Sequence, residues 1–340
     1  MTLLDDPDAI KVGWKAGPEQ YPPTDLLEFA ITAERVGFDF VEASDHFHPW
    51  SEAGQASFIW TWLGAVASRT TSIHIGTGVT CPILRYHPSI IAQASATVGA
   101  LAPGRTYLGV GTGEALNEYA ATGMWPEYDE REERLGEAID LIRFLWTGDQ
   151  VTFTGDYFET REAKLYTMSP HQIPLYVSSM VPESGYFAGC YGDGLITTGG
   201  KKPDVYKQLI KNFEEGARES DKDPETMPLM IELSGAYTDD TEGAIRCTLQ
   251  YWAGAQVPAM FDQKIYTPEM SAMNGQVVGA DFLKSKMCIS GDPEEHVKWL
   301  KKYTDLGFTQ LIFHSAGPDQ KGMIERYARD VLPHVREERA

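Results

Sequence analysis

The stretch Phe38-Asp39-Phe40-Val41-Glu42-Ala43-Ser44-Asp45-His46-Phe47-His48-Pro49-Trp50 decides the architecture. Phe38 to Ala43 reads as an apolar run and hence as a buried strand. It ends in a carboxylate, an imidazole and, four residues after the imidazole, an indole. A (β/α)8 barrel presents its chemistry in this way, with polar, titratable groups at the carboxyl end of a buried strand. Histidine exchanges protons near neutral pH, and Asp45 beside His46 is placed to set its tautomer or raise its basicity. Pro49 stiffens the loop that carries Trp50. On these residues alone, a proton-transfer pair and a strand end that merely caps a helix weigh about equally.

Outward from this stretch the chain alternates. Strands are expected at residues 10–14, 38–43, 73–79, 106–111, 174–178, 195–198, 227–233 and 309–314, each followed by a helical segment. Eight such units predict an α/β fold, a (β/α)8 TIM barrel, ahead of a doubly wound sheet. The run Gly109-Val110-Gly111-Thr112-Gly113-Glu114 argues against the doubly wound alternative, because a G-x-G-x-x-G fingerprint needs glycine at 114. One domain over residues 1–340 is expected. It carries a hairpin insertion near 149–165, around Thr154-Gly155-Asp156, and a lid-like insertion near 253–290.

With 29 Lys and Arg against 49 Asp and Glu, the net charge is −20 over 340 residues. Such a surface repels phosphate backbones and excludes nucleic acid as a partner. Cys81, Cys190, Cys247 and Cys288 form no C-x-x-C pair and no zinc spacing, so no metal is expected, and free thiols fit a cytoplasmic protein. Met1 to Asp8 is acidic without signal-peptide character, and no apolar run reaches the roughly 18 residues of a membrane span.

In a barrel the residues after each strand converge on one face. That face would gather Lys15 and Glu19; Asp45, His46 and Trp50; Gly78, Val79 and Thr80; Gly111, Thr112, Gly113, Glu114 and Asn117; Ser178 and Ser179; Thr198, Lys201 and Lys202; and His314. Taken singly, Glu114 reads as a first-turn helix acid, the two lysines as surface charge and His314 as a core histidine. Together they read as an enzyme site with proton-transfer groups, an anion-binding turn and small residues that admit a large flat cofactor.

Three stretches, Ser44-Asp45-His46-Phe47-His48-Pro49-Trp50, Gly109-Val110-Gly111-Thr112-Gly113-Glu114-Ala115-Leu116-Asn117-Glu118 and Lys15-Ala16-Gly17-Pro18-Glu19-Gln20, resemble the F420-dependent glucose-6-phosphate dehydrogenases of the luciferase-like superfamily. The likeness runs from about Lys11 to the C-terminal helix. The G-T-G-E-A-L-N-E part is particular to that group, whereas S-D-H is shared more widely among F420 enzymes. The resemblance implies coenzyme F420, an 8-hydroxy-5-deazaflavin, in the barrel mouth. A hydride would pass to it from C1 of a sugar 6-phosphate, glucose 6-phosphate first. It implies His46 as the base, with Glu19 as the other candidate, Trp50 against the reacting centre, and Glu114 as the acid near N1 of the cofactor. Asp45, Gly78, Val79, Thr80, Gly111, Thr112, Asn117, Ser178 and Ser179 would line the cofactor, and the Gly78–Val79 bond matches a non-prolyl cis peptide of the superfamily. Asp45 would also steady His46. Thr198, Lys201, Lys264 and Lys286 would bind the substrate phosphate. Lys286 stands where the family has arginine, which keeps the charge but loses the planar fork. Ser178-Ser179-Met180-Val181 departs from a Gly-rich family pattern. A homodimer is implied as well. The competing expectations are an F420-dependent alcohol dehydrogenase acting on an unphosphorylated alcohol, an FMN monooxygenase, and a non-catalytic cofactor carrier.

Overall fold

The computed structural model describes residues 9–336, so the Met1–Asp8 stretch discussed above lies outside the described residues. The strands are β1 Lys11–Ala16, β2 Phe40–Ala43, β3 His74–Thr77, β4 Thr106–Val110, β5 Val151–Thr154, β6 Glu159–Ala163, β7 Leu175–Ser178, β8 Gly194–Thr198, β9 Leu229–Tyr237, β10 Cys288–Ser290 and β11 Gln310–Ser315. Eight of them run in the order β1-β2-β3-β4-β7-β8-β9-β11, and β11 returns to β1. All of these pairings are parallel. Helices such as Pro23–Val36, Pro88–Leu101, Tyr128–Leu145 and Pro203–Glu219 lie between consecutive strands. The fold is the (β/α)8 barrel.

Two details differ from the sequence reading. β9 continues to Tyr237, beyond Leu233, and its extra length pairs with β10, Cys288 opposite Gly235. A strand of three residues carries too little alternation to be read from sequence. The other difference is a short helix, Glu118–Thr122, directly after the G-T-G-E-A-L-N stretch. β5 and β6 pair antiparallel, Thr154 opposite Glu159, outside the barrel sheet.

The main core lies between sheet and helices, with Trp14, Val41, Ile75, Leu108 and Leu311 pointing outward into it. The barrel interior has its own apolar layer of Phe40, Tyr107, Tyr176, Ile196, Met230 and Ile312. Side chains two residues apart on a strand share a face. One step toward the carboxyl end, these strands therefore present Glu42, Ser178, Thr198, Glu232 and His314 to the same interior. On β1, Gly13 faces Phe40 and Ile312, and Lys15 follows two residues later. The interior changes from hydrocarbon to charge within one layer, and the site begins there.

Candidate active site

The loop after β2 places Asp45, His46 and Trp50. The Asp45 carboxylate accepts hydrogen bonds from the Thr80 hydroxyl at 2.9 Å and the Tyr86 hydroxyl at 3.0 Å. Arg85 Nη2 stands 3.3 Å from Asp45 Oδ1 and donates to the Asp45 carbonyl at 2.6 Å. The expectation that Asp45 steadies His46 is therefore corrected: its oxygens are engaged from the next βα loop. His46 is oriented by its own loop instead, with Nδ1 3.1 Å from the His48 carbonyl. A carbonyl only accepts, so Nδ1 carries the hydrogen and the lone pair sits on Nε2.

That Nε2 lies 3.6 Å from Glu19 Oε1 and 3.6 Å from Glu114 Oε2. Burial lowers the pKa of His46 below its usual value, against the pull of Glu114. Burial raises Glu19 to about 7, against the weaker opposing pull of Ser44. Glu114 is also raised by burial, with His46 opposing. Near neutrality the arrangement is an uncharged imidazole between two carboxyl groups that hold protons more tightly than usual. The Trp50 ring lies 4.9 Å from the His46 ring, centroid to centroid. Trp50 packs with Leu116, Trp252, Met260 and Ile265, so the 252–265 segment roofs it.

The third loop supplies Gly78, Val79 and Thr80. The Gly78–Val79 peptide is cis. A Cβ at Gly78 would press on the carboxyl ends of Glu42 and Glu232, so any larger residue there would displace them. Thr80 is tied to β4 through its amide to the Gly109 carbonyl at 2.9 Å and through the Gly111 amide to its own carbonyl at 3.1 Å. Gly111 backs onto Val79. Thr112 offers its carbonyl to Arg131 at 3.4 Å. Gly113 has φ +79°, and a Cβ there would press on Cys81, so this turn requires glycine. Asn117 Oδ1 accepts from the Phe47 and His48 amides at 2.8 and 3.2 Å, while its Nδ2 donates to Glu114 at 3.4 Å. It thus couples the His46 loop to Glu114. Ser178 faces the interior, whereas the Ser179 hydroxyl is 2.6 Å from Ser184 within its own turn.

Opposite this side, Lys201 Nζ donates to the Thr198 carbonyl at 2.8 Å and to its hydroxyl at 2.9 Å, and Lys286 Nζ donates to the Gly200 carbonyl at 2.9 Å. Burial lowers Lys201 to about 8; Glu232 opposes the shift and Lys286 adds to it. Lys264 is engaged elsewhere, with Nζ 3.6 Å from the centroid of the Tyr119 ring. Its neighbour Tyr266 packs edge-on against Tyr119 at 4.8 Å and offers its carbonyl to His48 at 3.2 Å. Thr198, Lys201 and Lys286 come together, and Lys264 joins the Trp50 side.

Four interior groups were missed from sequence. Glu42 and Glu232 flank Lys15, Tyr107 bonds Glu42, and Arg85 grips Asp45. The available signal was a single carboxylate two residues after Phe40 and after Met230 inside otherwise apolar strands.

A closed parallel barrel with its titratable groups collected at the carboxyl ends of its strands defines an enzyme of the (β/α)8 class. Residues 10–310 match the luciferase-like monooxygenase family, and the chain belongs to that family. It is 41% identical over 331 residues to the F420-dependent glucose-6-phosphate dehydrogenase of Gordonia bronchialis, covering 96% of this chain and 98% of the relative. It is 42% identical over 330 residues to the enzyme of that name from Amycolatopsis mediterranei, covering 96% and 99%. Among solved structures it resembles an F420-dependent secondary alcohol dehydrogenase in complex with an F420-acetone adduct, with TM-score 0.92, 39% identity and coverage of 97% and 100%.

Proposed function

We propose that the protein oxidises a sugar 6-phosphate at C1, glucose 6-phosphate in the first place, with coenzyme F420 as acceptor, giving 6-phosphogluconolactone and reduced F420. Full-length relatives at about 40% identity carry that activity in their names. The observation that carries the substrate class is the Thr198–Lys201–Lys286 cluster. Burial, and in smaller part the Lys286 ammonium, depress Lys201 to about 8, and an anionic phosphate would offset both effects.

The residues present fit a deazaflavin. The Gly78–Thr80 turn and Gly111 make a wall of backbone and one apolar side chain, Val79. Beside it the buried Glu19 carboxyl is placed to meet a ligand hydroxyl. Asp45, Gly78, Val79, Thr80, Gly111, Thr112, Asn117, Ser178 and Ser179 would hold the cofactor. When bound, it accepts the hydride released from C1.

Hydride leaves a carbinol carbon most readily as the O–H proton is withdrawn. His46 Nε2 has the free lone pair for that proton, and its Nδ1–H is fixed on the His48 carbonyl. The imidazolium so formed lies 3.6 Å from Glu19, whose ionised form stabilises it. Glu114 holds its proton at a carboxyl that Asn117 steadies. Trp50, under the 252–265 segment, shields the reacting atoms from water. We take the protein to act in the cytoplasm as a homodimer, one barrel domain per chain. No helix among the described residues is long and apolar enough to cross a membrane.

The test is to mix the protein with oxidised F420 and glucose 6-phosphate and follow the visible absorbance of the cofactor. Bleaching that depends on the phosphate and needs about 10- to 100-fold more glucose 6-phosphate in Lys201→Met supports the assignment. Bleaching with isopropanol but not with glucose 6-phosphate moves it to the second reading, an F420-dependent alcohol dehydrogenase. The placement of Lys264 on Tyr119, away from the other cations, favours that alternative.

A further inference from the structure

Directly beneath the Gly78–Val79 turn lies a cluster of four polar side chains, one from each of four strands. Lys15 Nζ on β1 is 2.5 Å from Glu232 Oε2 on β9 and 3.4 Å from Glu42 Oε1 on β2. Tyr107 on β4 donates its hydroxyl to Glu42 Oε2 at 2.9 Å. Glu42 is fully buried, and Lys15 is 8% exposed. Such charges are expensive to enclose, and nothing in the proton-transfer scheme above uses them. Among the described residues their one hydrogen bond to the cofactor side of the site runs from Lys15 Nζ to the Gly78 carbonyl at 2.8 Å, while Glu232 also acts through space on Lys201.

The ammonium is thus held from below by two acids and spends its remaining donor on the backbone of the turn. Burial alone would lower the Lys15 pKa, but Glu232 and Glu42 raise it above the usual value, so it stays charged. Burial, and Glu232 beside it, push Glu42 up to about 8. The cluster near neutral pH therefore holds one ammonium, one carboxylate and one protonated carboxyl, with no net charge. A neutral, cross-braced floor cannot tilt without separating ions in a low dielectric.

The geometry points to Lys15 as a positioning residue. Clamped by Glu232 and Glu42, it fixes the Gly78 carbonyl, and with it the turn against which the cofactor ring lies. This rests on the F420 reading above. Lys15 touches neither substrate nor reacting atoms. Its effect appears in cofactor affinity and placement, whereas the phosphate cluster sets the affinity for the sugar.

The test uses the double variant Lys15→Met/Glu232→Gln, which removes both charges together and leaves the floor neutral. Dissociation constants for oxidised F420 are read from the cofactor's fluorescence without substrate, beside thermal melts and the KM for glucose 6-phosphate at saturating cofactor. The expected result is a folded variant with F420 affinity weakened about tenfold, the scale of one charge-assisted bond, and a smaller rise in the sugar-phosphate KM, because Glu232 also supports the Lys201 charge. A folded double variant that binds F420 as wild type does would overturn the assignment. If the double variant does not fold, Glu232→Gln decides. It keeps the Lys15 charge but loosens the clamp, so F420 affinity is expected to fall a few-fold, and wild-type affinity counts against the proposal. Failure of the wild-type protein itself to bind F420 would instead remove the cofactor reading on which the proposal stands.

Discussion

Arg85 closes on Asp45 at two points, 3.3 Å from its carboxylate and 2.6 Å from its carbonyl. It also reaches Glu118, with Nε 3.5 Å from Oε1 and its own amide 2.9 Å from Oε2. One guanidinium therefore binds the loop after β2, which carries His46, to the first residue of the helix after β4, four residues beyond Glu114.

Arg85→Met leaves Asp45 buried with only its two hydroxyl donors. Removing one partner of a buried pair costs about 3 kcal/mol, and urea unfolding should show a loss of that order. A loss under about 0.5 kcal/mol would mean that Thr80 and Tyr86 hold Asp45 unaided.

The identity of the base is open to a pH profile. A base works only when unprotonated, so rate falls as pH drops through its pKa. Burial holds His46 below its ordinary 6.5 and raises Glu19 to about 7. With His46 as base, kcat/KM falls only below about pH 6.5, and Glu19→Gln leaves that limb in place. A limb centred near 7 that disappears in Glu19→Gln transfers the role to Glu19. His46→Ala should lower kcat by roughly 100- to 10,000-fold.

The phosphate cluster predicts effects on KM. Lys201→Met removes a cation that binds ground state and transition state alike, so KM for glucose 6-phosphate should rise about 10- to 100-fold with little change in kcat. Because Lys201 titrates near 8 in the free protein, wild-type KM should climb as pH rises through that value and the ammonium is lost. Lys264→Ala should change KM less than about threefold if Lys264 stays on Tyr119. A large effect there would place Lys264 on the phosphate.

Glu42 predicts a trend in stability. Its folded pKa, about 8, is above the ordinary 4.5, so the folded state binds this proton more tightly than the unfolded chain does. The stability it contributes is complete below the unfolded pKa and is lost as pH rises toward 8. Glu42→Gln keeps an amide in place of the protonated acid and does not titrate. The melting temperature of Glu42→Gln relative to wild type should therefore increase from pH 6 to pH 9, and a constant difference across that range refutes the protonated Glu42.

Much of the barrel was legible because a parallel strand covered on both faces is a nearly continuous apolar run, and all eight such runs were visible. What escaped was the exception inside each run. Glu42 and Glu232 sit on the one face in two that points into the barrel, and only closure of the sheet reveals that they meet Lys15. The partners of Asp45 escaped for a related reason. His46 is adjacent in sequence, but Arg85 and Tyr86 arrive from the next loop, and adjacency along a strand end sends neighbours to different sides. Glu19, Trp50 and Glu114 were readable as strand-end chemistry, since barrel geometry alone brings them to one mouth. Lys264 lies in an inserted segment of short helices, where no strand register fixes its direction.

The pairing of β1 with β11 sets Lys11 opposite Gln310. Nearly the whole chain separates these two strands, so the ring cannot shut until its last member has emerged from the ribosome. Until then β1 and the newest strand each present a bare row of amides and carbonyls. A chain growing at about 5–20 residues per second passes many seconds in that open state. The exposure to mispairing that follows is a property of the nascent chain, and it disappears when residue 310 meets residue 11.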